Sequence, residues 1–253
     1  MIFQNFGFNR QAVKATLAPA GDPYLKLWLD AGNSTSYPGT GTTWYDLSSE
    51  GNNLTLNGSP TYDATTGSFY FPGSTSVNAS TTTATNLSAG TGQQSIEVWN
   101  RYTGTVNDNY YGIYALGCCL ADGGQIARGL WGDAGFGYGL EASYGGNSLA
   151  AFVPPYDGTH TYTKSNSSGV WRQLVVVRDG DTLYYYVDGA LDQSRSGFSS
   201  FSLTNTNEVL IGRDLTTGPM LGDIAVFKTW IGKALTSTEI SASYNASKTR
   251  FGR

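Results

Sequence analysis

From position 24 onward, apolar and polar residues alternate in short runs. Leu25, Leu27 and Leu29 alternate with Lys26, Trp28 and Asp30, a period of two that predicts a half-buried strand with the leucines on one face. Further strands are predicted at 54–56, 68–71, 95–102, 111–116, 139–143, 148–153, 171–178, 183–187, 209–212 and 223–230. Gly, Asn, Asp and Pro clusters separate them, the pattern of an antiparallel sandwich rather than of βαβ units. The clearest hairpin turns at Asp179-Gly180. Its first strand is apolar at every position from Leu174 to Val177, which predicts a central strand covered on both sides, whereas Leu183, Tyr185 and Val187 alternate like those of a half-covered neighbour. One helix is predicted, at about 237–247, because Thr236-Ser237-Thr238-Glu239 forms a capping box. Ile240 and Tyr244, one turn apart, would face the sheet.

Residues 24–253 thus read as one all-β domain with a short C-terminal helix. Residues 1–23 read as an N-terminal arm. In it Phe3, Phe6 and Phe8 either cover an end of the domain or dock on a partner, and residues 11–18 suit a short helix. Composition supports the β reading. Thr, Ser, Asn and Gly number 29, 25, 16 and 33, and these types supply turns. Aromatic residues, which favour strands, make up 13% of the 253 residues, and charged residues another 13%. A formal net charge of -4 without a basic cluster argues against a nucleic-acid partner. The longest aliphatic run is far below a membrane span, and no basic-then-apolar leader opens the chain, so a soluble protein made in the cytoplasm is expected. Cys118 and Cys119 are adjacent, too close for ordinary disulfide geometry and too few for a structural zinc site; they are expected to be reduced packing residues.

Four stretches carry a family resemblance. They are Leu27-Trp28-Leu29-Asp30-Ala31-Gly32-Asn33; Ser36 to Ser48 with Gly51-Asn52-Asn53, which holds Trp44-Tyr45-Asp46; Trp171 to Gly189; and Gly222-Asp223-Ile224-Ala225 to Tyr244-Asn245-Ala246. On these residues the chain resembles laminin-G-like, concanavalin A-like jelly-roll domains, and more narrowly those of structural proteins of tailed bacteriophages. The resemblance implies a non-enzymatic virion protein on the particle surface, assembled in the host cytoplasm, either as capsid decoration or as part of a fibre or spike. Its partners would be other virion proteins, in a symmetric homo-oligomer such as a trimer. A receptor-binding adhesin for a host surface glycan is the first alternative, and a glycan hydrolase the second. In such domains the segment comparable to residues 102–170 carries variable binding loops. Some relatives hold calcium, for which Asp46 is the candidate ligand here; otherwise Asp46 would accept backbone N–H groups of the turn at 48–53. No other cofactor is implied.

Catalytic chemistry is poorly supplied. The family's hydrolases set Glu-x-Asp-x-Glu on one strand, whereas the comparable strand reads Ile96-Glu97-Val98-Trp99-Asn100-Arg101, leaving Glu97 without a second acid. Asp179 and Asp181 flank a turn, where solvation is the expected role, and the single His160 has no nucleophile elbow to serve. Binding is better supplied. Trp131, Tyr138 and Tyr144 lie among glycines in 129–146, where a sugar ring could stack, although aromatics capping a sheet edge would give the same pattern. Trp44 and Tyr45 read instead as core or edge cover. Seven Asn-x-Ser/Thr sequons, such as those at Asn33, Asn78 and Asn166, are expected by chance in so Ser- and Thr-rich a chain and are read as unmodified.

Overall fold

The computed structural model describes residues 21–103, 111–116, 126–133, 137–144, 148–153, 169–197, 199, 208–213 and 218–253. The phenylalanine arm (Phe3, Phe6, Phe8), the helix expected at 11–18, Cys118, Cys119 and His160 lie outside them. The strands in chain order are β1 (Leu25–Asp30), β2 (Thr43–Trp44), β3 (Leu54–Asn57), β4 (Thr61–Asp63), β5 (Ser68–Pro72), β6 (Asn78–Thr81), β7 (Gln94–Tyr102) and β8 (Tyr111–Leu116). They continue as β9 (Ile126–Asp133), β10 (Gly137–Tyr144), β11 (Ser148–Val153), β12 (Trp171–Asp179), β13 (Thr182–Val187), β14 (Ala190–Ser196), β15 (Val209–Ile211) and β16 (Leu221–Ile231). Helix α1 (Ser237–Ser247) and a 3₁₀ turn (Lys248–Phe251) close the chain.

These strands form two eight-stranded sheets. The first runs β14-β13-β12-β7-β16-β5-β4, with β1 also on β16, and the second runs β11-β10-β9-β8-β15-β6-β3-β2. Long β16 organises the first sheet: one edge pairs with β7, while the other pairs first with β5 and then with β1. The sheets bury a common core that includes Leu27, Leu29, Trp44, Phe69, Val98, Tyr114, Ile211 and Phe227. Trp44 and Tyr37 meet Phe69 edge-on, with ring centroids 4.9 and 4.8 Å apart.

The outer face of the first sheet is buried too. Val175 and Val177 join Trp28, Trp230, Leu235 and Ile240 there, while Leu174 and Val176 point into the sandwich core. This is why residues 174–177 are apolar without interruption. The capping box forms as predicted: the Thr236 hydroxyl accepts from the Glu239 N–H, and the Glu239 carboxylate accepts from the Thr236 N–H at 2.8 Å. Ile240 is buried, and Tyr244 stacks on Trp99 at 5.7 Å. In the β12–β13 turn Gly180 takes φ +59°, which a residue with a Cβ adopts at a cost.

The structure corrects four expectations. A register shift between Leu25 and Leu27 puts Leu25 in the outer cluster, opposite Leu27 and Leu29, because a bulge resets the alternation. Residues 129–139 belong largely to the paired strands β9 and β10 rather than to a binding loop. Tyr45 lies outside the core, being 44% exposed, although Trp44 beside it is fully buried. Asp181 is also more than a solvated turn residue, since its carboxylate accepts the N–H groups of Gly197 and Ser199 at 3.1 and 2.7 Å. Among the described residues no helix is long and apolar enough to cross a membrane.

Candidate functional site

The face of β7 that carries Glu97, Trp99 and Arg101 is the outer face of the first sheet, under the C-terminal segment. Glu97 is 1% exposed and fully engaged. Its carboxylate accepts from Gln173 Nε2 at 3.0 Å and from the Ser243 hydroxyl of α1 at 2.8 and 3.0 Å, and it pairs with Lys228 Nζ at 3.5 Å. The Lys228 ammonium also lies 5.8 Å from the Trp28 ring centroid. Next along the face, Trp99 stacks on both Tyr244 and Phe251, so α1 and the 3₁₀ turn fill the space above the strand.

Another acid on this face, Asp223, sits opposite Arg101 and bonds to its Nε at 2.9 Å. Burial pushes its carboxyl above the usual range against the opposing pull of Arg101. Glu97 and Arg101 are four positions apart on β7, so the backbone positions that carry the two acids are separated by roughly 13 Å at about 3.3 Å per residue. A glycosidase pair requires about 5–9.5 Å with a sugar between. Here the separation is too large and the space over Glu97 is occupied. The carboxylate whose partners sequence reasoning missed is thus a structural ion pair, with partners that come from β12, β16 and α1.

Asp46 turns out to organise a loop. Its Oδ1 accepts the N–H groups of Trp28 and Ser48 at 2.8 and 2.9 Å, and its Oδ2 accepts the Asn52 N–H and the Ser48 hydroxyl at 2.8 and 2.7 Å. The loop is tied down further by Glu50, whose carboxyl is held below the usual range by hydrogen bonds from Lys26 and Asn86. With its lone pairs already committed, Asp46 serves as a turn organiser, accepting backbone N–H groups as its sequence context allows. Asp46→Ala is expected to cost about 2 kcal/mol, in keeping with charged hydrogen bonds. Urea denaturation checks this, and the wild-type melting temperature should be the same with calcium or with a chelator. A calcium-dependent rise would return Asp46 to the role of ligand.

Strand register separates the three aromatic ligand candidates. Leu130 pairs with Tyr114 and Leu140, and Tyr114 pairs with Ile211, so these positions continue the row that is buried in the core at Tyr114 and Ile211. Tyr138 and Tyr144 are even positions of β10 and share the face of Leu140, whereas Trp131 pairs with Gly139 on the opposite face of the sheet. Trp131 shares its row with Gly112 and Gly139, two glycines directly beside it on the neighbouring strands.

Residues 74–241, about two thirds of the chain, match the family model described as the concanavalin A-like lectin/glucanases superfamily. No curated protein matches the chain. Among solved structures, the ligand-binding domain of botulinum neurotoxin serotype D, solved with N-acetylneuraminic acid, is similar with TM-score 0.62 and 15% identity, over 88% of this chain and 50% of that one. The binding domain of botulinum neurotoxin DC, solved with rat synaptotagmin II, is similar with TM-score 0.65 and 14% identity, over 88% and 52%. The binding domain of Paraclostridial Mosquitocidal Protein 1 gives 0.62 and 13%, again over 88% and 52%. This chain therefore spans about half the length of those structures, and at such identities the likeness concerns the fold. With two antiparallel eight-stranded sheets around one core, and with the family model matched across most of them, the chain belongs to the concanavalin A-like lectin/glucanase superfamily.

Proposed function

We propose that this protein is a non-enzymatic, lectin-like binding domain displayed on the surface of a tailed-bacteriophage virion, as capsid decoration or as part of a fibre or spike. The observation that carries the non-enzymatic part is the fate of Glu97, buried, paired with Lys228 and covered by α1, its backbone position roughly 13 Å from that of the nearby acid of that face. The virion role rests on the sequence resemblance, with the phenylalanine arm as the anchor to other virion proteins. Assembly in the host cytoplasm and a symmetric homo-oligomer follow from the same reading.

The adhesin reading, in which the domain recognises a host surface glycan, draws support from the toxin binding domain solved with N-acetylneuraminic acid. In it Trp131, flanked by glycines, is the stacking residue.

Two variants separate these readings, the arm triple F3A/F6A/F8A and W131A. Each is mixed with particles lacking the protein and with host cells. For decoration, the wild type and W131A bind particles and the arm variant fails. For an adhesin, the wild type and the arm variant bind cells and W131A loses binding at least tenfold. Steady release of reducing sugar from a host polysaccharide would overturn the non-enzymatic reading.

A further inference from the structure

The inner face of β7 carries a polar residue between two apolar ones. Ile96, Val98 and Tyr102 on that row belong to the sandwich core, and between the last two stands Asn100 with no exposed surface. Among the described residues, neither its Oδ1 nor its Nδ2 has a hydrogen-bond partner. Beside it in register are Ile224 of β16, a core residue, and Arg172 of β12, whose Nη1 bonds to Asp188 at 2.5 Å.

A carboxamide with both ends unmet in an apolar interior is costly, and native proteins resolve such cases with bound water. We propose that Asn100 holds a buried water site between the two sheets, near the end where β7 stops and β12 starts. The occupant must both donate to Oδ1 and accept from Nδ2. It must also be neutral, because the positive charge beside it, on Arg172, is already offset by Asp188. Water meets these requirements in the smallest volume.

The test uses the full-length protein labelled with ¹⁵N. The Asn100 side-chain NH₂ signals are identified by their loss in N100L. Expected is a cross-peak between those protons and water, with the sign of a molecule resident for longer than a nanosecond, and an N100L melting temperature equal to or below that of the wild type. If no such cross-peak appears, the site is dry and the proposal fails. It also fails if N100L melts about 5 °C higher, the gain expected from removing an amide that is unsatisfied in the native protein. Should N100L not fold, N100S identifies the signals and the cross-peak alone decides.

Discussion

Arg250→Ala should lower the melting temperature by roughly 10 °C, the largest loss expected from a single surface-proximal residue of this chain. Arg250 lies in the closing 3₁₀ turn and locks it to the sandwich. Its Nη1 meets Asp30 Oδ1 at 2.7 Å, its Nε donates to the Thr66 carbonyl at 2.8 Å, and its Nη2 donates to the Gly67 carbonyl at 2.6 Å. Asp30 is 5% exposed, so alanine at 250 would strand a buried carboxylate as well as two carbonyls. Breaking a buried pair from one side costs about 3–5 kcal/mol. The fit is steric as well: a Cβ at Gly32 would collide with the guanidinium, and one at Gly67 would collide first with the Gly32 backbone and then with the guanidinium. Arg250→Lys should recover part of the loss, because a lysine keeps the charge but cannot fill three acceptors from one rigid fork. Thermal unfolding of both variants checks this, and an alanine variant melting within 2 °C of the wild type would refute it.

Lys228→Met should destabilise by about 3 kcal/mol, since it leaves the Glu97 carboxylate buried with only neutral donors. The double variant E97Q/K228M should regain most of that. Two neutral side chains have no ion desolvation to offset, and the glutamine still meets Gln173 and Ser243. Urea denaturation of the wild type, both single variants and the double variant measures the coupling. A coupling below about 0.5 kcal/mol would mean that the 3.5 Å pair contributes nothing to stability. The result bears on function, because the same carboxylate would have to be free and paired with a second acid for glycan hydrolysis.

Local chemistry made a large part of this architecture legible in the sequence. Alternation located β1 and β13, an unbroken apolar run located β12, Asp179-Gly180 located a hairpin, and Thr236 to Glu239 located the start of α1. Each is written within a few residues, where side-chain period and turn geometry act directly. The dual burial of residues 174–177 and the turn role of Asp46 were legible for the same reason. Strands β2, β4, β6 and β14 escaped notice because they are short or dominated by Thr, Asn, Ser and other polar residues. Glycines hid β9.

Tertiary structure alone decided the character of the site. The partners of Glu97 lie 76, 131 and 146 residues away, and Arg250 reaches Asp30 across 220. Such pairings depend on sheet order, which no local pattern encodes. The face to which a residue belongs is equally nonlocal. A bulge moved Leu25 away from Leu27, and the ladder from β15 through β8 to β9 and β10 set Trp131 apart from Tyr138 and Tyr144. Composition and period determined that this chain is a β-sandwich closed by a helix, because those features are repeated along it. Which carboxylate is neutralised and which aromatic is left beside glycines was determined only when strands distant in sequence came into register.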